Sequence, residues 1–170
     1  IPYATPGFGT NTAGARLSGG AVSEILTGPG PSSVYGPHVR AFDAASAPRP
    51  KVSFFAYGTL RFGVLVEGAD VDGDGYDEIL TGAGPGAVFG PHVRGFDVDG
   101  GAVTTMPGLS FFAFSTGSYG VNVAGAHVSG GSAHEVGTGP GPGPAFGPGV
   151  SVFRYGPPIA PVVAFMAFPS

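Results

Sequence analysis

The chain has 170 residues, of which 33 are glycine and 18 are proline, whereas only 11% are charged and the formal net charge is -4. So much glycine and proline suggests disorder unless a repeat accounts for it, but 42% hydrophobic residues and 14 phenylalanines indicate one folded domain, residues 1–170. The absence of cysteine excludes disulfides, thiol catalysis and cysteine-ligated metals. With seven basic against eleven acidic residues and no apolar run of about 18 residues, we expect neither nucleic-acid binding nor membrane insertion.

Three copies of one sequence unit follow each other along the chain, at residues 7–61, 62–118 and 119–170. The first two copies share the block Gly-Pro-His-Val-Arg, at Gly36–Arg40 and Gly90–Arg94. The third copy is more diverged and keeps only part of that block. A repeat of about 50 residues is typical of solenoid and propeller architectures.

Each unit contains four short apolar or alternating runs that are separated by glycine and proline. In the middle unit the predicted strands are Val64–Ala69, Glu78–Thr81, His92–Asp97 and Leu109–Phe114. No stretch has a helical apolar period, so the fold class is all-β. Four strands per unit predict a β-propeller of four-stranded antiparallel blades, with three blades per chain.

Three blades do not close a ring, since propellers typically have four to eight. We therefore expect a homodimer that forms a six-bladed ring. The alternative is that the chain belongs to a longer propeller, and because residue 1 is Ile1 rather than methionine we expect a processed or excised chain.

One loop of the middle unit has the ligand spacing of a calcium site. Carboxylates at its first, third, fifth and ninth positions and a carbonyl at its seventh suit a hard cation of calcium size; these residues are Asp70, Asp72, Asp74, Glu78 and Tyr76. We predict one structural Ca²⁺ per chain, because such a loop saturates the ion and leaves no open position for catalysis. The alternative is an acidic hairpin turn without a metal.

The corresponding loops of the other two units have lost most of these ligands. Arg16 and His127 stand where the middle unit has Asp70, whereas Glu24 and Glu135 keep the carboxylate of the ninth position. We expect Arg16 to pair with Glu24, and His127 with Glu135, so that each takes the place of the cation. The alternative is that these loops are simply solvated.

Two histidines and three aromatic residues recur near the Gly-Pro turns. His38 and His92 lack a nucleophile and a carboxylate at any recognisable spacing, so we expect them to hydrogen-bond the turn, and we expect no enzyme activity. One aromatic residue in each unit directly precedes a Gly-Pro pair; these residues are Tyr35, Phe89 and Phe146. They either stack on sugar rings or turn inward between blades, and the inward orientation is favoured.

The motifs of the middle unit resemble the FG-GAP repeat of integrin α-subunit-type propellers. The similar residues are Phe62-Gly63, the run Asp70–Gly75 and the run Glu78–Gly82, with Glu78 where that family usually has aspartate. The run Gly82–Asp97 is similar to a bacterial variety on secreted or surface proteins. The resemblance implies calcium loops between the first and second strands of a blade, and an extracellular or cell-surface location.

Together these features predict an extracellular, calcium-stabilised propeller that binds a carbohydrate or a surface protein, as a lectin-like or adhesive module. Two alternatives stay open. One is a propeller-fold hydrolase or lyase, and the other is a purely architectural segment of a larger surface protein.

Overall fold

A computed structural model describes residues 7–58, 61–87, 89–115, 117–144 and 147–168. These residues form three four-stranded antiparallel sheets, one from each sequence unit, and contain no helix that could span a membrane. The strands are β1 (Thr10–Ala15), β2 (Glu24–Pro29), β3 (His38–Phe42), β4 (Pro48–Phe55), β5 (Val64–Ala69), β6 (Glu78–Ala83), β7 (His92–Asp99), β8 (Ala102–Phe112), β9 (Val121–Ala126), β10 (Glu135–Pro140), β11 (Gly149–Arg154) and β12 (Ala160–Met166). The all-β prediction and the four strands per unit are confirmed.

The strands of each sheet pair in sequence order, so each unit is a simple meander. We number the sheets one to three along the chain. In the middle unit β8 begins at Ala102, earlier than predicted, because β7 and β8 continue past a bulge to a tight hairpin. Gly100 and Gly101 form the turn of that hairpin with positive φ angles of 55° and 80°, which non-glycine residues rarely adopt.

The first strands of neighbouring sheets pack closely, β1 against β5 and β5 against β9. This packing depends on small residues. A Cβ atom added at Gly28 would lie 2.5 Å from the carbonyl oxygen of Val64, and one at Gly82 would overlap the carbonyl oxygen of Val121. The recurrent glycines of β2 and β6 therefore allow one sheet to approach the backbone of the next.

Two apolar clusters fill the spaces between the sheets. The first includes Leu26 of sheet one and Ile79 of sheet two, and the second includes Leu80 of sheet two and Val136 of sheet three. All four side chains have no accessible surface. Burial of each contributes roughly 1.5–3 kcal/mol relative to exposure, so these clusters are what holds the three sheets together.

The same aromatic pair recurs at both sheet interfaces. Phe54 of β4 packs on Phe96 of β7 with ring centroids 4.6 Å apart. Phe111 of β8 packs on Phe153 of β11 with centroids 4.7 Å apart. Because the two pairs occupy equivalent positions, the second interface repeats the geometry of the first.

Candidate functional site

The predicted metal loop joins β5 to β6 at one end of sheet two. Asp70, Asp72 and Glu78 offer carboxylate oxygens that lie within 4.8 Å of one another, and Asp70 and Glu78 are buried. These three residues form an acidic cluster that could hold a metal ion. All of the ligand atoms are hard oxygens, which suits calcium or magnesium better than a softer metal.

Backbone hydrogen bonds wrap the loop around Asp70. Its two carboxylate oxygens accept from the N–H groups of Gly73 at 2.7 Å and Gly75 at 3.0 Å. Asp74 lies outside the three-carboxylate cluster, and its Oδ1 accepts from the Tyr76 N–H at 2.8 Å. The roles of Asp74 and of the Tyr76 carbonyl as ligands therefore stay predictions.

Glu78 is the most perturbed carboxyl group of this cluster. Burial, followed by the charges of Asp72, Asp74 and Asp70, raises the pKa of Glu78 to about 8, against one favourable hydrogen bond from the Val71 N–H at 2.7 Å. The charged form of a carboxyl group that is buried among three aspartates is unfavourable unless a positive charge compensates it.

In sheet one the equivalent glutamate has a protein partner instead. Arg49 of β4 lies 2.5 Å from Glu24, and the Ser18 hydroxyl donates to the same carboxylate at 2.6 Å. Burial alone would raise the pKa of Glu24, but the hydrogen bonds from Ser18 and Arg49 outweigh it and lower that pKa. Ser18 occupies the place of Asp72, so a ligand carboxylate has become a hydrogen-bond donor.

The prediction that Arg16 pairs with Glu24 was wrong. The Arg16 backbone is held against sheet two, where its N–H donates to Asp77 Oδ2 at 2.7 Å, and its side chain is exposed. Arg49 reaches Glu24 from the edge strand of the sheet, a connection between residues 25 positions apart that no local motif reveals.

The prediction that His127 pairs with Glu135 was also wrong. The His127 ring contacts the Gly131 carbonyl, whereas Arg154 lies 3.7 Å from Glu135 and the Ser129 hydroxyl donates to the same carboxylate. Although burial by itself raises the pKa of Glu135, these partners lower it.

Among the described residues, Glu24 and Glu135 each lie beside an arginine, whereas Glu78, the equivalent glutamate of sheet two, has no basic partner. Asp97 stands where sheet three has Arg154, the residue that lies beside Glu135. The acidic cluster of sheet two could hold a metal ion at the place where sheets one and three have an arginine.

We expect Arg49→Met to lower the free energy of unfolding by about 1 kcal/mol at neutral pH, since the guanidinium is partly exposed and its pairing is weakened by solvent. Because the folded-state pKa of Glu24 is depressed, this contribution is present above the ordinary glutamate pKa and is lost as the pH falls through the lower folded value. Urea unfolding at several pH values measures both effects. Arg16→Met is the matched control, and an equal loss in that variant would contradict the assignment of Arg49.

The opposite end of each of the first two sheets carries an exposed aromatic platform. In sheet one, His38 stacks on Phe55 at 4.8 Å between ring centroids, and its Nε2 lies 3.0 Å from the Ser53 hydroxyl. Phe55 is 57% exposed. As expected, each histidine hydrogen-bonds the turn, since the backbone N–H groups of His38 and His92 donate to the carbonyls of Gly36 and Gly90 at 2.9 and 2.8 Å. Each side chain also contacts a serine of the neighbouring strand.

Sheet two repeats this arrangement. His92 stacks on Phe112 at 4.7 Å, its Nε2 lies 3.0 Å from the Ser110 hydroxyl, and Phe112 is 64% exposed. Burial, followed by the charge of the neighbouring Arg94, lowers the pKa of His92, so that ring is neutral at physiological pH. We name these two groups the aromatic platforms.

The two described aromatic residues that precede the Gly-Pro turns pack on other rings of the chain. Phe89 is buried and packs on Phe62 with centroids 5.9 Å apart, which confirms the inward orientation for this residue and excludes it as an exposed ligand contact. Tyr35 is half-buried and meets the edge of Phe8. Phe146 lies outside the described residues.

A cleft of about 850 Å³ lies beside the metal loop, between sheets one and two. Of the chain's seven basic and eleven acidic residues, six line it. Tyr76, which is also in its lining, is 47% exposed. Sequence inspection missed this cleft because its charged residues come from two units that are distant in sequence; they are Glu24, Arg49, Lys51, Asp74, Asp97 and Asp99.

Comparisons with protein-family models, with curated proteins and with solved structures found no match to this chain. The similarity to FG-GAP repeats therefore rests on the motifs quoted above and stays a prediction.

Proposed function

We propose that this chain is an extracellular, calcium-stabilised β-propeller module that binds carbohydrate as a lectin does, with the three sheets as blades. The observation that carries the binding role is the construction of one exposed His-Ser-Phe platform twice, at equivalent positions of two sheets. Exposure of a phenylalanine ring to water is energetically unfavourable, and the repetition of such exposed rings favours a function in multivalent binding.

The chemistry of the platforms suits a sugar. The exposed face of Phe55 or Phe112 can pack on the apolar C–H face of a sugar ring, as aromatic side chains do in ligand pockets. The adjacent hydroxyls of Ser53 and Ser110 can hydrogen-bond to sugar hydroxyls. In sheet two the His92 ring next to Ser110 adds one nitrogen that can donate or accept.

Calcium has a structural role in this proposal. Asp70, Asp72 and Glu78 would hold the ion, with Asp74 and the Tyr76 carbonyl as further ligands, and the ion would supply the positive charge that arginine supplies in the other sheets. Since the platforms lie at the other end of sheet two, the ion would not contact the sugar. The assignment of calcium rather than magnesium rests on the length and spacing of the loop.

The propeller assignment is supported by the packing of three similar meanders against each other through their first strands. The extracellular setting is proposed from the resemblance to FG-GAP repeats alone.

A glycan array tests the binding role. Wild-type protein should bind one class of glycan, and Phe55→Ala or Phe112→Ala should weaken that binding tenfold or more. The double variant should lose it, because two linked sites bind far more tightly than one. Tyr76→Ala is the matched control, since it removes another exposed aromatic ring, which lines the cleft, and leaves the backbone carbonyl in place.

The array has two outcomes that would contradict the proposal. If Tyr76→Ala rather than the phenylalanine variants abolished binding, the cleft would be the ligand site. If no glycan were bound at high protein concentration, the architectural alternative would be favoured.

One observation favours the hydrolase alternative as a second candidate. Ser110 and His92 are within hydrogen-bond distance, as are the nucleophile and base of a serine hydrolase. Among the described residues no carboxylate hydrogen-bonds to His92, and such a group normally orients the histidine. Ser110→Ala would abolish any hydrolysis of a chromogenic ester if this candidate were correct, and our proposal predicts no hydrolysis above background.

A further inference from the structure

The cleft beside the metal loop has walls from two neighbouring sheets. Sheet one contributes Leu17, Arg49 and Val52, and sheet two contributes Asp97 and Val98. Its volume of about 850 Å³ lies within the usual range of about 300–1,000 Å³ for small-molecule pockets. The cleft therefore belongs to the first interface between sheets, where both walls are described.

The equivalent place between sheets two and three is filled by side chains. Met106 stands there where sheet one has Arg49, and it is 6% exposed within the second apolar cluster. Tyr155 stands where sheet two has Val98, and it packs against the same cluster. A Cβ atom added at Gly108 would lie 3.2 Å from the Tyr155 ring, so this ring lies across a strand of the preceding sheet.

Two differences in sequence leave the first interface open. Val98 is shorter than Tyr155 and does not extend across the space in the same way. Lys51 stands where sheet two has Gly108, and its Nζ donates to the Gly100 carbonyl of the β7–β8 hairpin at 3.2 Å. The open space is thus a property of the first interface and not a general consequence of the repeat.

The two walls differ in how their charged groups are partnered. Arg49 pairs with Glu24 at 2.5 Å, and Lys51 bonds to the hairpin carbonyl. On the wall of sheet two, the side chains of Asp97 and Asp99 have no hydrogen-bond or ion-pair partner among the described residues. The charge of the cleft that is left without a partner is therefore negative.

The charge of the middle unit favours a cationic ligand. Residues 62–118 contain eight acidic residues and one basic residue, a formal net charge of -7. One Ca²⁺ in the metal loop would leave this charge at -5. A cleft lined by an excess of one sign of charge attracts ligands of the opposite sign and repels the others.

The lining distinguishes an organic cation from a metal ion. Among the described residues, Asp97 and Asp99 do not belong to a group of three side chains that could hold a metal. Much of the remaining wall is apolar, from Leu17, Val52 and Val98. Such side chains pack on a carbon chain but cannot coordinate an ion, so the cleft suits an ammonium group that is attached to an apolar chain.

Tyr76 supplies an aromatic ring in the lining of the same cleft. A Cβ atom added at Gly19 would lie 2.3 Å from Tyr76 Cε1, so the ring lies against the loop of sheet one. The side chain is nevertheless 47% exposed. An ammonium group is attracted to the face of an aromatic ring. The other units have Val22 and Ala133 at this position, so the ring is present only beside the open cleft.

We propose that this cleft binds a small aliphatic amine. Its ammonium group lies beside Asp97 and Asp99 and is attracted to the exposed ring of Tyr76. Its carbon chain packs on the apolar wall between the two sheets. This binding site goes beyond the proposed function, since the aromatic platforms lie at the opposite end of the sheets.

Calorimetric titration with cadaverine at low salt and saturating calcium tests the proposal. Wild-type protein should bind one cadaverine per chain in a saturable manner. The matching diol, in which hydroxyl groups replace both amino groups, should not bind at the same concentrations. The absence of saturable cadaverine binding, or equally tight binding of the diol, would overturn the proposal.

Val98→Tyr tests the place of binding, because it introduces the residue that fills the second interface. We expect cadaverine affinity to fall about tenfold or more, as steric exclusion from the cleft requires. Thr104→Tyr is the matched control, since it adds the same ring to the same hairpin at an exposed residue outside the lining. Wild-type affinity in Val98→Tyr would show that the amine does not enter the cleft.

Asp97→Asn tests the charge without changing the volume, so its result does not depend on how Val98→Tyr folds. It should also lower cadaverine affinity about tenfold or more, because a nearby opposite charge is lost. Glu67→Gln is its control, since it makes the same change of charge on sheet two outside the lining. Equal losses in both variants would mean that cadaverine responds to net charge alone, and the proposal would be wrong.

Competition with calcium separates the cleft from the metal loop. Raising calcium well above saturation at constant ionic strength should leave cadaverine binding unchanged. Displacement of cadaverine by calcium would place the amine in the metal loop and overturn the proposal. Glycan binding at the platforms is measured independently, so failure of either proposal leaves the other intact.

Discussion

Calcium should raise the midpoint of thermal unfolding of the wild-type protein by several degrees, and Asp70→Asn should abolish that rise. A ligand that binds only the folded state at 100 times its dissociation constant stabilises that state by about 2.7 kcal/mol. Asp70 contributes to the carboxylate cluster and also organises the loop, so its loss should remove the ion's binding site. The measurement is a melting scan with calcium and with excess EDTA.

The matched control for this experiment is Asp99→Asn. It makes the same change of charge on the same unit, at an exposed residue outside the cluster. We expect this variant to keep the full response to calcium. An equal melting temperature of wild-type protein with calcium and with EDTA would refute the metal site.

Gly82→Ala should lower the free energy of unfolding by about 2–3 kcal/mol, as overpacking of an interior commonly does. The added Cβ would overlap the carbonyl oxygen of Val121, which belongs to the backbone of sheet three and cannot rotate away. The two sheets would have to separate, and the apolar cluster between them would be partly exposed. Urea unfolding monitored by tyrosine fluorescence measures the loss.

Gly137→Ala is the control for that variant. Gly137 also lies inside a strand, but its equivalents in sheets one and two are Leu26 and Leu80, and the nearest atom to an added Cβ is 3.5 Å away. We expect no loss of stability at this position. Equal effects of the two substitutions would show that the close approach of sheets two and three is not what requires glycine at position 82.

Much of the fold follows from local sequence, because each strand is short and bounded by glycine or proline. The repeat placed β5 at its observed bounds, Val64–Ala69, and β6 to within two residues. The start of β8 was missed, since the Gly100-Gly101 hairpin was not recognised as a turn between two longer strands. The side-chain contacts between neighbouring sheets could not be predicted, because they join residues about one unit apart in the sequence.

The residues of the candidate site were also predicted correctly only where they lie close together in the sequence. Asp70, Asp72 and Glu78 were found because a loop that binds a cation has a fixed local spacing. The partners of Glu24 and Glu135 were assigned wrongly, because Arg49 and Arg154 reach these glutamates across the sheet. The His-Ser-Phe platforms were likewise hidden, since strand register and not sequence distance brings Ser53 to His38 and Ser110 to His92.

Arginine lies beside the buried glutamate in sheets one and three, and we propose that a cation balances the equivalent glutamate in sheet two. Calorimetric titration of the metal-free protein with calcium tests this claim most directly. We predict saturable binding of one ion per chain, and no binding to Glu78→Gln. The absence of binding at millimolar calcium, or binding of three ions per chain, would contradict it.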